Sequence, residues 1–148
     1  MKKQITIQTE NGFQVLDLEI SFDNDNMDEA SVMTIKTNYQ GKEIIASGNH
    51  YPWTDAYANL QKQLPENVKL ICCVACRYGN GCPVGDGPDE LFCTKDVSVS
   101  CKSDLFFYTE DDNERQKRSK GYTDYCNDFQ PQTSDFFTYN DYRFYLDD

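Results

Sequence analysis

The sequence predicts an α+β fold. An antiparallel sheet of about five strands packs on one main helix, and a cysteine-rich loop and a second helix extend it. Three observations predict this. Apolar residues alternate with polar ones through much of residues 5–47. Helical periodicity first appears after residue 52. Glycine, proline and cysteine crowd into residues 73–93. A period of two marks a half-buried strand, and a period of 3.6 marks an amphipathic helix.

The elements follow in order. Ile5 and Ile7 alternate with Thr6 and Gln8, and Asn11-Gly12 supplies a turn. From Phe13 to Phe22, Leu16, Leu18 and Ile20 alternate with Val15, Asp17 and Glu19, which completes a hairpin signature. Asp23 to Glu29 is an acidic connection. Val32–Thr37 and Glu43–Ser47 are further strands around a Tyr39-Gln40-Gly41-Lys42 turn, so the four strands form a meander. Trp53, Ala56, Tyr57, Leu60 and Leu64 then share one helical face, with Thr54 as N-cap and Pro65 as stop. Val68, Leu70 and Cys72 alternate with Lys69, Ile71 and Cys73 as a fifth strand.

Beyond residue 73 the pattern changes. Gly79, Gly81, Gly85, Gly87, Pro83 and Pro88 make a long loop with too few apolar side chains to order itself. Thr109 precedes Glu110, Asp111, Asp112 and Glu114. Arg115, Lys117, Arg118 and Lys120 follow, and then Gly121. Acids first, bases last and a closing glycine predict a solvated helix that compensates its own dipole. The alternative for Arg115–Lys120 is a small anion-binding patch. Phe136, Phe137, Tyr139, Tyr142, Phe144 and Tyr145 predict one or two C-terminal strands packed on the core, or else an exposed aromatic face.

At 148 residues, the expectation is one domain over 1–148, with a sheet-and-helix core at 1–72 and the cysteine-rich loop, helix and aromatic strands at 73–148. The net charge is −11. Residues 1–30 set two lysines against seven acids, residues 31–71 four basic against three acidic, and residues 72–148 eight against fifteen. Nucleic-acid binding rests on neutralising phosphates with Lys and Arg, so this balance argues against it. The same field favours a basic protein partner. No apolar run is long enough for a membrane helix. No apolar segment of the signal-peptide kind follows Lys2-Lys3, so the expected compartment is cytoplasmic and reducing, where disulfides are rare.

The sharpest local feature is Cys73-x2-Cys76, then Cys82-Pro83, then Cys93. Thiolates suit zinc, and four of them close a tetrahedron. Cys73, Cys76, Cys82 and Cys93 are therefore the candidate ligands of a structural zinc, with Leu91-Phe92-Cys93 forming a short strand that brings the second pair back. Ion binding would then act as folding energy for the glycine-rich loop. Cys72 is an alternative to Cys73. Unligated thiols, disulfides and an iron–sulfur cluster are competing readings, although seven cysteines cannot all pair within one chain. A thioredoxin-like use of Cys73 and Cys76 lacks a helix start after the motif. Cys101 and Cys126 read as small buried hydrophobes.

The stretch Cys76-Arg77-Tyr78-Gly79-Asn80-Gly81-Cys82-Pro83, followed by Glu90-Leu91-Phe92-Cys93, resembles a C-R-x-G-N-x-C-P motif carried by small bacterial proteins with no assigned activity. In size, acidity and aromatic content the chain is similar to immunity proteins that neutralise bacterial toxins, a likeness of class that carries over no site residue.

Other motifs fail. Asp23-Asn24-Asp25-Asn26 starts like a calcium loop, but Asp28 and Thr34 stand where glycine and glutamate are needed. His50, the only histidine, reads as a strand-end residue, with a zinc ligand or a cysteine partner as the alternative. Three function classes remain: a non-enzymatic acidic binding protein, with immunity against a basic toxin as its concrete form; a zinc-stabilised structural module; and a thiol redox protein.

Overall fold

Alternation is converted directly into strands β1 (Lys2–Thr9), β2 (Gly12–Phe22), β3 (Val32–Tyr39) and β4 (Lys42–Asn49). A short β5 (Lys69–Leu70) pairs with β1, and the sheet runs β4-β3-β2-β1-β5, antiparallel throughout. These elements come from a computed structural model that describes residues 1–26, 29–49, 54–84, 89–106 and 110–147. The chain divides into two compact units, Met1–Ile71 with Asp141–Asp148, and Cys72–Asn140. The last residues thus belong with the first unit.

In the first unit, Ile5, Ile7, Leu16, Leu18, Ile20, Met33, Ile35 and Ala46 occupy alternate positions and are buried. This is the inward face that period two requires. Tyr39 pairs with Lys42 across Gln40 and Gly41, whose φ angles are 51° and 80°. Two successive positive φ angles give the primed turn that matches strand twist, and Gly41 takes its share without strain. Asp23 closes the acidic connection by accepting from the Ser31 and Val32 amides, as an acidic turn would.

The main helix, α1 (Thr54–Gln63), packs against β4 with Ala56, Tyr57 and Leu60 buried. Its polar side chains also serve the sheet. Asn59 Nδ2 donates to the Ser47 carbonyl, Gln63 Nε2 to the Ile45 carbonyl, and Asp55 Oδ2 accepts from the Asn49 amide. These are alternate backbone groups on the free edge of β4. The helix thereby covers an edge that would otherwise offer itself to another strand. Trp53 and His50 lie outside the described residues.

The second unit has a smaller, three-stranded antiparallel sheet of β6 (Gly79–Asn80), β7 (Leu91–Cys93) and β8 (Ser119–Lys120), in that order. The short strand expected at Leu91–Cys93 is present, and Cys93 sits opposite Gly79. The second helix, α2, covers only Asp112–Arg118. Asp111 caps it, accepting from the Asn113 and Glu114 amides, and Thr109 lies outside the described residues. It stops before Gly121 because Ser119 turns extended and enters β8. Nor is its basic end merely solvated, since Arg118 is only 5% exposed.

The aromatic tail is corrected as well. Residues 136–141 are irregular, and residues 142–147 form a helix, α3 (Tyr142–Asp147), where strands were expected. Tyr142 and Tyr145 stand three apart, and the Tyr145 amide donates to the Asp141 carbonyl, so helical spacing wins over alternation. In the first unit α3 packs on α1, with Tyr142 buried and its hydroxyl 3.3 Å from Gln61 Oε1.

Candidate functional site

The second unit buries Val74, Leu91, Phe92, Leu105 and Tyr122, a smaller apolar set than the first unit's, and adds polar side chains bonded to distant backbone. Asn80, 1% exposed, accepts from the Tyr139 amide and donates to Thr94 Oγ1. Thr138 Oγ1 donates to the Arg77 carbonyl, Gln132 Nε2 to the Val74 carbonyl, and Asn140 Nδ2 to the Gly79 carbonyl. The Arg77 amide donates to the Gln130 carbonyl, and Cys76 bridges to Pro131. Residues 130–140 are thus sewn to residues 74–80.

The C-x2-C segment folds as a single 3-10 turn, Cys73–Ala75, closed by Ala75 and Cys76 amides donating to the Cys72 and Cys73 carbonyls. Gly79 packs on this turn so closely that a Cβ there would lie 2.0 Å from the Cys73 carbonyl oxygen. The Cys73 amide donates to the Asp124 carbonyl at 2.8 Å, which brings the chain ahead of Cys126 alongside.

The result is a small cleft of about 20 Å³, lined by Cys73, Cys76, Cys93 and Cys126 with Tyr78, Leu91, Phe92, Lys95, Lys120 and Asp128 among its other walls. Three of the four sequence candidates meet there. Cys82 does not line it; its side chain is buried elsewhere in the unit, near enough to Arg115 to interact with its charge. Cys126 lines the cleft instead. It is half-buried rather than a core filler, and Cys101, also expected to be buried, is exposed. No spacing signal points to Cys126, which is far from the other three in sequence and is placed by backbone pairing alone. Among the described residues, no three Cys, His, Asp or Glu side chains stand as a ready ligating set.

Cys72 is fully buried outside the cleft, and burial pushes its thiol up to about 12. Burial also raises Cys73, aided by the neighbouring thiols Cys72 and Cys76. Burial raises Cys76 too, against the backbone amides of Gln130 and Tyr78, which favour its thiolate. Reactive cysteines need the opposite shift.

Of the basic residues in Arg115–Lys120, Arg115, Lys117 and Arg118 face carboxylates of the same unit. Arg115 pairs with Glu90 at 2.8 Å, and Lys117 lies 3.7 Å from Asp96. Arg118 reaches Glu114, Asp96 and the Cys93 carbonyl. On the cleft wall, Lys95 pairs with Asp128 at 3.0 Å. No family model matches the chain, and no curated protein matches it.

Among the described residues, no helix is long and apolar enough to cross a membrane.

Proposed function

We propose that this chain is a non-enzymatic binding protein whose acidic surface recognises a basic protein partner, in the manner of immunity proteins that neutralise toxins. The observation that carries the reading is the charge balance, 25 acidic residues against 14 basic ones for a net −11. Lys95, Arg115, Lys117 and Arg118 each face a carboxylate of their own unit, so no basic stripe forms there to offset that field. Such a field speeds encounter with cationic partners and repels phosphate backbones. In the first unit, Phe13 is 64% exposed and Val15 53%, on the outward side of β2 with Asp17. Aromatic side chains, phenylalanine among them, are enriched at protein interfaces.

The test is calorimetric titration of the full chain with the purified product of its neighbouring gene, at low and high salt. A complex that weakens steeply with salt, and weakens again on Phe13→Ala, supports the reading. No complex, or one indifferent to salt, contradicts it.

A further inference from the structure

We propose that the cleft of the second unit is a zinc site whose ligands are Cys73, Cys76, Cys93 and Cys126. The proposal is independent of the partner reading, because it concerns what orders this unit rather than what the protein meets.

Three features carry it. First, cysteines from three separate parts of the chain line one cleft. Its volume, about 20 Å³, is enough for one water or ion by the usual threshold of about 10–15 Å³. Second, the backbone fixes each contributor. The 3-10 turn presents Cys73 and Cys76, the Gly79–Cys93 register brings Cys93 beside them, and the Cys73–Asp124 bond holds the approach to Cys126. Third, the donor chemistry fits. Four thiolates around a divalent zinc leave a doubly negative centre, and Lys120 lines the same cleft as a compensating cation, while Lys95 there is paired with Asp128.

The sulfurs do not stand in a ready ligating set, so binding draws them inward. Rotation of a cysteine between staggered χ1 wells moves its sulfur by roughly 3 Å without moving the backbone. Each thiol that ligates gives its proton to solvent, and the Zn–S bond replaces the S–H bond. Cys82 is excluded because it does not line the cleft, and Cys72 because its side chain is buried outside it.

The experiment titrates the reduced full chain with cobalt(II), which reports thiolate ligation by charge-transfer absorption and tetrahedral geometry by its visible bands, followed by displacement with zinc(II). The expected result is one equivalent bound with a tetrathiolate spectrum. Cys126→Ser weakens binding by more than about tenfold, while Cys82→Ser leaves the spectrum unchanged. Cys126→His guards against simple misfolding, since an imidazole ligand retains cobalt with a shifted spectrum. The proposal is overturned if the reduced chain takes up no cobalt, if Cys126→Ser or Cys126→His keeps the unaltered tetrathiolate spectrum, or if loss follows Cys82→Ser instead.

Discussion

Two aspartates show how one side-chain type acquires opposite effects from its surroundings. Asp55 is buried at the start of α1, and burial raises its carboxyl above the ordinary 3.8 despite the Asn49 amide. The folded chain then holds this proton more tightly than the unfolded chain, so stability falls as pH rises from 3.8 through the raised value. Asp96 is the reverse. Its bond from Arg118 holds it below 3.8, so its contribution is complete above that value and is lost as pH falls through the lower folded one. Urea midpoints measured across the acid range should show Asp55→Asn removing the first slope and Asp96→Asn the second. Gly48 has a steric constraint of its own. A Cβ at that position would lie 1.9 Å from Asp55 Oδ1 and 2.4 Å from the Ala56 amide nitrogen. Gly48→Ala should cost about 1–3 kcal/mol in denaturant unfolding, as overpacking does.

Among the elements, α2 has Arg118 as its most buried anchor. Arg118 joins its own helix through Glu114, the 93–96 segment through Asp96, and the end of β7 through the Cys93 carbonyl. A lysine ammonium lacks the planar fork that serves three acceptors at once, so Arg118→Lys should not restore what Arg118→Met loses. We expect both to destabilise by about 2–3 kcal/mol, less than for a fully buried pair because the two carboxylates are partly exposed, with thermal unfolding as the measurement. The strands β1–β4 and α1 were legible because alternation and the Ala56-Tyr57-Leu60 spacing record burial in the local sequence. The end of α2 and the helix α3 were not. At Ser119 the pairing of β8 with β7 overrides helix propensity, and at residues 136–147 aromatic density alone does not fix a period. The three-stranded sheet was legible only at Leu91–Cys93, since two-residue strands are too short to carry a pattern.

At the scale of the whole molecule, one unit is built on an apolar sheet and helix, and the other joins a smaller apolar core to polar side chains bonded across long stretches of chain. Asn80, Thr138, Gln132 and Asn140 leave no periodicity, so the fourth cysteine of the cleft could not be read from spacing. Cys82-Pro83, closer in sequence, drew attention instead. What the sequence did convey was the need for something to hold residues 73–93, and the proposed zinc site answers that need with a different fourth sulfur. The most direct measurement is the zinc content of the full chain purified under reducing conditions without chelator. The account predicts one zinc per chain, retained in Cys82→Ser and lost in Cys126→Ser. A chain that purifies folded and zinc-free, and stays so after incubation with zinc(II), would contradict it.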